Sequence, residues 1–425
     1  MKQTNSLELY ERAKKVIPGG AQVLSKYYGR LIQGVAPAFM EFGQGAHIWD
    51  VDGNEYIDWS ASLGPVILGY NTIKPFSEHY SNPLLPMSHW YEIELAEKLI
   101  DIIPCAEMVR FFKTGSDSTS AAVRLARAIT GRSNVLCCGF HGWHDWYAQI
   151  LPDPKNSGTG QDPNYFRNRT IKLSYGWIEQ LQNCLVNYQP ACFILEPMSR
   201  LCPEKASREY LQEVRRLCNE YGVILIFDEI IMGFRYAMAG GQEYYGVTPD
   251  LACYSKAMAN GYPISALVGK RELMTEIQHL QVSGTYFGEL LSIQSAINTI
   301  DFMEKNDVIK HIAKVGEDLC TAIEKAIVEC GVENMVRLKG GGPWSSFVWG
   351  EDFFDEQCLF LQELFKQGIF YNRDFFVMFS HTYEDLVKTI DAIRFAFNVV
   401  KRAMDNGLKI NTLIEGTVDK ELMPR

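Results

Sequence analysis

The sequence has no excess of positive charge and no long apolar run. Its 41 lysine and arginine residues are outnumbered by 51 aspartate and glutamate residues, which gives a formal net charge of −10. Such a balance offers no basic patch to nucleic acid. No segment approaches the ~20 apolar residues that cross a bilayer, and no N-terminal apolar segment marks secretion. The sequence therefore predicts a cytoplasmic protein that binds neither nucleic acid nor membrane.

Cysteine pairs with zinc-ligand spacing are also missing. The 11 cysteines lie mostly inside apolar runs, as Cys137, Cys138, Cys192 and Cys253 do. This usage predicts reduced core thiols and no metal site. The sequence also lacks internal repeats and low-complexity linkers. A chain of 425 residues with 47% hydrophobic content is long enough to bury a large core, in about two to three domains.

Two ionisable residues are present where buried strands end. Asp228 closes the apolar run 223–228, and Lys256 follows the run 251–254. A lysine can hold an aldehyde as an imine, and a buried carboxylate can keep a pyridine nitrogen protonated by charge pairing. Taken singly, such residues are more often a surface lysine and an ordinary strand-ending acid. Together they predict a site for pyridoxal 5'-phosphate (PLP).

The phosphate of that cofactor also needs donors. The extended run 109–113 is followed by Thr114, Gly115 and Ser116, and then by a helical stretch from 121 to 128. Small hydroxyl residues at a helix start leave backbone N–H groups that can hold a dianion. The alternative is a plain helix cap without a ligand. A second turn, 283–285, could supply further phosphate donors.

The residue patterns of several segments, and their order along the chain, resemble one family. They are similar to the class III PLP-dependent aminotransferases, and within them to the branch that contains glutamate-1-semialdehyde 2,1-aminomutase. The resemblance covers roughly residues 8 to 400. Its most specific stretches are 225–235 and 241–251, supported by 18–20, 50–54, 64–69 and 124–127.

This resemblance implies a role for each matching position. Lys256 is expected to form the Schiff base, and Asp228 to pair with the pyridine nitrogen. The other expected cofactor contacts are Gly115 and Ser116 on the phosphate, Phe140 and Ile230 on the two ring faces, and Thr285 on the phosphate of the neighbouring subunit. The resemblance therefore implies a homodimer.

The substrate side departs from the aminomutase pattern. Lys26 replaces an arginine that holds the substrate carboxylate, and a lysine lacks the planar fork that grips a carboxylate at two points. Leu63 stands where the aminomutases have an aromatic residue. The chain reaches Ser380 about four residues sooner, so a segment that carries an active-site glutamate is expected to be missing. Glu196, a site-rim acid, and Arg373 are further candidates for substrate contact.

These departures favour an intermolecular transaminase over an aminomutase. An amino donor would charge the cofactor to its pyridoxamine form through Lys256, and a small keto or aldehyde acceptor would then take the amino group. The alternatives are a 2,1-aminomutase, a PLP-dependent racemase or decarboxylase, and a scaffold that binds PLP without catalysis. Intact Lys256 and Asp228 argue against the scaffold.

Short apolar runs that alternate with helical stretches predict the α/β class, with a mostly parallel sheet covered on both faces. The resemblance implies a fold-type I PLP-dependent transferase with a large seven-stranded sheet domain and a smaller α+β domain built from both terminal segments. We predict that residues 1–70 contribute to the small domain and the dimer interface, residues 71–305 form the large PLP-binding domain, and residues 306–425 complete the small domain. The tail from Leu408 carries little pattern and is expected to be loosely ordered.

Overall fold

The computed structural model describes residues 3–73, 83–148, 150 and 169–420. Its helices are α1 (Thr4–Val16), α2 (Tyr91–Ile102), α3 (Gly115–Thr130), α4 (Asp145–Ala148), α5 (Ile178–Tyr188), α6 (Arg208–Glu220), α7 (Gly241–Tyr245), α8 (Arg271–Met274), α9 (Leu290–Lys305), α10 (Val308–Glu329), α11 (Phe354–Lys366) and α12 (Tyr383–Asp405). Its strands are β1 (Met40–Gln44), β2 (His47–Asp50), β3 (Glu55–Asp58), β4 (Met108–Phe112), β5 (Val135–Cys138), β6 (Thr170–Lys172), β7 (Cys192–Leu195), β8 (Ile224–Asp228), β9 (Leu251–Tyr254), β10 (Ser265–Gly269), β11 (Val336–Gly341), β12 (Trp344–Trp349), β13 (Ile369–Phe370) and β14 (Phe375–Phe376).

The chain folds into two compact units, one from residues 73–309 and one from residues 1–72 together with 310–425. The predicted roles of these segments in cofactor binding and in a dimer interface stay predictions. None of the helices in the described ranges is long and apolar enough to cross a membrane.

A seven-stranded sheet forms the centre of the 73–309 unit, in the order β4-β10-β9-β8-β7-β5-β6. Only β10 among these strands runs antiparallel to its neighbours. The predicted α/β class with a mostly parallel sheet is confirmed. Because the strands β5, β7, β8 and β9 are parallel, their carboxyl ends lie along one edge, the edge at which ligands usually bind in such sheets.

Helix α3 packs its apolar stripe on this sheet. Ala122, Val123, Leu125 and Ala126 are fully buried in the main core cluster, together with side chains of β4, β5, β7, β8, β9 and β10. Alanines at these positions allow the helix to approach the strands closely. The N-terminus of α3 is thereby fixed to the sheet.

In the other unit, segments from both ends of the chain share one sheet. β13 pairs in parallel with β3 and completes a four-stranded sheet of order β1-β2-β3-β13. A second, three-stranded sheet has the order β11-β12-β14. Helices α11 and α12 bury apolar faces in this unit, as the periodic patterns of their sequences require.

Two expectations about order along the chain need correction. The helix expected from 121 to 128 begins at Gly115, because Thr114 and Asp117 form a capping box that starts it earlier. The tail is not loose over its described part: the backbone of Thr417 exchanges two 3.0 Å hydrogen bonds with Gln33, and the Glu415 N–H donates to Gln362 at 2.7 Å. Such contacts between residues far apart in the chain are not visible in the local sequence pattern.

Candidate active site

Asp228 lies at the carboxyl end of β8 and is only 3% exposed. Its Oδ1 accepts the backbone N–H of Ile230 at 3.2 Å. Its Oδ2 lies 2.7 Å from Nδ1 of His141. Each carboxylate oxygen has two lone pairs, so one on each remains for a further donor. The carboxylate is therefore held rigidly and keeps capacity for a ring N–H.

His141 contacts Asp228, and sequence reasoning missed this contact. It is 1% exposed and follows β5, two strands away from β8 in the sheet. Thr119 Oγ1 donates to the carbonyl of His141 at 2.8 Å, and the imidazole stacks on Trp146 with 6.3 Å between ring centroids. These contacts aim Nδ1 at Asp228. A histidine three residues beyond a strand end was the available signal, but the strand order that brings it to Asp228 is not visible in the sequence.

The two nitrogens of His141 have different surroundings. Nδ1 lies 2.7 Å from Oδ2 of Asp228, and a proton on Nδ1 would donate to that oxygen. Nε2 is buried and has no hydrogen-bond partner among the described residues. The hydrogen bond at Nδ1 therefore orients the Asp228 carboxylate.

The start of α3 lies beside this acid. If Gly115 carried a Cβ, that atom would be 2.5 Å from Cδ1 of Ile230. A Cβ on Gly142, whose φ is +104°, would be 2.4 Å from Oγ of Ser116. Gly142 therefore requires glycine, whereas a side chain at Gly115 would require the end of the Ile230 side chain to move. The first N–H groups of α3, those of Gly115 and Ser116, have no intrahelical acceptor and point out of the positive end of the helix.

Lys256 begins the 3-10 turn Lys256–Ala259 directly after β9 and Ser255. Its φ of +42° lies in the left-handed region, which is uncommon for a residue with a side chain and recurs at functional sites. Two hydroxyls brace this turn: Ser255 Oγ donates to the Ile264 carbonyl at 2.8 Å, and Ser295 Oγ of α9 donates to the Ala259 carbonyl at 2.9 Å.

Two buried glutamates differ in their environments. Burial and the charge of Asp228 together raise the pKa of Glu196 to about 7, against the opposing charge of Lys256. Burial raises the pKa of Glu229 to about 8 against hydrogen bonds from the backbone N–H groups of Gly241 and Gln242 at 2.7 and 3.0 Å. Glu229 thus holds the start of α7, whereas Glu196 titrates within the electrostatic environment of Asp228 and Lys256.

Phe140 and Thr285 are exposed. The Phe140 side chain is 69% exposed, and its ring contacts Tyr147 edge-on at 5.6 Å. Thr285 lies in the turn that precedes α9. Their assigned contacts, to a ring face and to a neighbouring subunit, stay predictions.

The remaining candidates belong to the 1–72 and 310–425 unit. Lys26 and Leu63 line one cavity of about 500 Å³, whose wall is mostly apolar and aromatic. Asn372, the neighbour of Arg373, also lines it. Arg373 itself is half-buried and has a φ of +74°. The structure thus brings Lys26 and Leu63 to one cavity, and the substrate roles of all three stay predictions.

An acid also lines this cavity. Asp58 is 1% exposed, and it accepts the hydroxyl of Tyr70 and the N–H of Ser60, each at 2.7 Å. Burial raises the pKa of Asp58 to about 6, even though these two hydrogen bonds and the charge of Lys26 act to lower it. Lys26 and Asp58 give the cavity one charge of each sign.

The residues at the sheet edge fit PLP. The edge carries a carboxylate that can pair with a protonated ring nitrogen, a helix N-terminus that can hold a phosphate, and a lysine that can form an imine with an aldehyde. The close approaches at Gly115 and Gly142 leave these backbone segments free of side-chain bulk.

Comparison with known proteins gives a consistent result. Residues 31–342 match the sequence model of a family described as Aminotransferase class-III. The 3-aminobutyryl-CoA aminotransferase of Cloacimonas acidaminovorans is 34% identical over 95% of this chain and 99% of its own length. The glutamate-1-semialdehyde 2,1-aminomutase of Fusobacterium nucleatum is 32% identical over 93% of this chain and 98% of its own.

A solved structure is similar across the whole chain. The PLP form of the FumI protein of Sphingopyxis sp. MTA144 superposes with a TM-score of 0.85 at 26% identity, and the match covers 97% of this chain and 100% of FumI. A glutamate-1-semialdehyde aminomutase of Pseudomonas aeruginosa has a TM-score of 0.81 at 18% identity over 93% and 94%, which shows the fold.

Proposed function

Because this chain belongs to the class-III aminotransferase family, we propose that it is an intermolecular transaminase that moves an amino group from a donor to a separate small keto or aldehyde acceptor. The predicted family, fold class, enzyme class and PLP cofactor are confirmed by the family match and by the PLP-bound structural neighbour. The choice between transamination and aminomutase chemistry, and the role of each residue, form the proposal.

When bound, PLP supplies the electron sink that labilises a bond at the amine-bearing carbon. Asp228 would pair with the ring nitrogen and keep it protonated, because a buried negative charge raises the pKa of that nitrogen. His141 holds Asp228 in place through the hydrogen bond at Nδ1. Lys256 would bind the aldehyde group and supply an amine base for proton transfer at the substrate carbon. Gly115 and Ser116 would hold the phosphate.

The single observation that carries the choice of transaminase is the turn at Met378–Thr382. It contains no carboxylate, and His381 locks it into the core. His381 Nδ1 accepts the Met378 N–H at 2.9 Å, Nε2 donates to the Asp58 carbonyl at 3.0 Å, and the ring stacks on Trp59. This turn supports the proposal that the glutamate-bearing segment of the aminomutases is missing here.

For the substrate we propose an anionic compound. Lys26 in the cavity of the 1–72 and 310–425 unit provides a point charge for the anionic group. The relative with 34% identity is a 3-aminobutyryl-CoA aminotransferase, so donors with the amino group on the β-carbon are the first to test. Leu63, Arg373 and Glu196 complete the residues that we assign to substrate contact.

We further propose that the active form is a homodimer in which Thr285 serves the neighbouring phosphate site. Large apolar side chains are exposed at the start of α2: Trp90 is 57% exposed and Ile93 61% exposed. The turn with Thr285 lies beside them, since a Cβ on Gly288 would be 3.0 Å from Glu92 of α2. Exposed apolar patches of this kind favour a protein interface.

We also place the protein in the cytoplasm, because its 11 cysteines are unpaired.

The test is a half-reaction without acceptor. The PLP-loaded enzyme is mixed with single amines, including β-amino acids, α-amino acids and neutral amines of matched size. A transaminase loses its visible cofactor absorbance with a true donor and releases one equivalent of the matching carbonyl compound. The Lys26→Ala variant should raise KM for an anionic donor about tenfold and barely affect a neutral donor.

Two other results separate the alternatives. Retained absorbance with every external amine, together with isomerisation of an amino aldehyde, would establish aminomutase chemistry. If Lys26→Ala had equal effects on anionic and neutral donors, Lys26 would not bind the anionic group. The assignment of the reaction type would be unaffected.

A further inference from the structure

An ion pair lies beneath the predicted phosphate-binding segments of the 73–309 unit. Lys113 Nζ is 2.8 Å from Glu289 Oε2, and the two side chains are only 17% and 13% exposed. Lys113 Nζ also donates to Ser292 Oγ at 3.3 Å. Partly buried charges of this kind need good geometry and additional hydrogen bonds to offset the loss of water.

Glu289 has those additional bonds. It is the N-cap of α9, where Oε1 accepts the N–H of Leu291 at 2.7 Å and Oε2 accepts the Ser292 hydroxyl at 2.6 Å. Burial alone would raise the pKa of Glu289, but the hydrogen bonds from Lys113 and Ser292 outweigh it and lower the pKa. The carboxylate is thus ionised near neutral pH and fixed to the first turn of α9.

The pair joins three segments of the cofactor site. Lys113 directly precedes Thr114, the N-cap of α3, whose first N–H groups belong to Gly115 and Ser116. Glu289 follows the turn that contains Thr285. Helix α9, which Glu289 caps, braces the Lys256 turn through the bond from Ser295 to the Ala259 carbonyl. One ion pair therefore connects the start of α3 with the start of α9.

We propose that Lys113 and Glu289 are positioning residues for the cofactor phosphate: their ion pair fixes the Thr114–Ser116 segment at the chain's own phosphate site and, with it, the Thr285 turn that serves the phosphate of the neighbouring subunit. This inference rests on the proposed function, since it takes those two segments as phosphate donors. Neither residue contacts the reacting atoms. Their effect is expected in the binding of the phosphate group rather than of the pyridine ring.

The test compares ligands with and without the phosphate. Apoenzyme of the full chain is titrated with PLP and with pyridoxal, for the wild type, Lys113→Met and Glu289→Gln. Both variants remove one charge at nearly constant size, and a glutamine can still cap α9 through its carbonyl oxygen. Lys98→Met is the matched control, because Lys98 forms an ion pair with Asp301 further along the same helix α9.

We expect the dissociation constant for PLP to rise about tenfold in either variant. Loss of a group that orients ligand-holding residues typically lowers affinity by about this factor or more. That for pyridoxal should change less than about twofold, and the double variant should be no worse than either single one. Lys98→Met should change neither constant. Lys113→Arg, which keeps the charge, should retain most of the affinity for PLP.

Equal losses for PLP and pyridoxal would overturn the proposal in favour of a general structural role, and so would wild-type affinity in both charge-removing variants. A wild-type apoenzyme that fails to bind PLP at all would instead contradict the cofactor assignment. These two failures are therefore distinct.

Discussion

At the scale of single residues, the proposed chemistry depends on Asp228. Asp228→Asn keeps the shape of the side chain and removes the charge that we propose keeps the ring nitrogen protonated. We expect PLP to stay bound and turnover to fall by about three orders of magnitude, because the electron sink weakens when that nitrogen loses its proton. Single-turnover rates with a true donor measure this effect.

Asp250 offers the matched control. It is similarly buried, at 7% exposed, and forms ion pairs with Arg215 and Lys270 at 2.8 and 2.6 Å. It precedes β9 and so lies at the opposite edge of the parallel strands from Asp228. Asp250→Asn should lower stability and leave the rate with bound cofactor nearly unchanged. Similar rate losses in both variants would show that Asp228 acts only through folding.

The sequence predicted Asp228 and Lys256 as a pair because both follow apolar runs, and the ends of such runs are visible without a structure. It could not predict that His141 contacts Asp228. His141 follows β5, and only the sheet order β5-β7-β8 brings it near the end of β8. Contacts between residues far apart in sequence depend on strand order, which the local pattern does not encode.

At the scale of elements, a histidine ties β2 to the start of α12. His47 Nε2 lies 3.0 Å from Asp385 Oδ1, and His47 Nδ1 lies 2.8 Å from Glu55. The hydrogen bond with Asp385 raises the pKa of His47, against the effect of burial. A raised histidine pKa adds stability that is complete below the unfolded pKa of about 6.5 and is lost as the pH rises through the folded value.

The predicted result is a pH-dependent cost of His47→Gln. The free energy of unfolding should fall by on the order of 1 kcal/mol more at pH 6 than at pH 9. Urea unfolding of wild type and variant at both pH values measures the difference. His279→Gln, at an exposed site, controls for the general loss of a histidine. A cost of His47→Gln that is equal at both pH values would contradict the charge pairing.

Element boundaries show where local sequence is informative. The last helix begins at Tyr383, and the sequence displays this start, since Thr382 and Asp385 form a capping box. Helix α9 begins at Leu290, because Glu289 caps it and residues 285–288 form a turn. A glutamate is a less common N-cap than serine or aspartate, so the local sequence does not mark this start.

At the scale of the whole molecule, we propose that each chain binds one PLP through Lys256 in the 73–309 unit. The fold class and the family could be predicted because several motifs recur in one order over most of the chain. The substrate could not be predicted, because the residues assigned to it lie on turns. The order of the motifs along the chain does not determine which side chains stand at those positions. Lys26, Leu63 and Arg373 are examples.

The most direct test is to reduce the PLP-loaded protein with borohydride, which fixes the cofactor to the lysine that holds it, and to weigh the chain and its peptides. The account predicts one added cofactor per chain, located on the peptide that contains Lys256, and no adduct in Lys256→Ala. A cofactor fixed to another lysine, or a wild-type chain that gains no mass, would contradict the central claim.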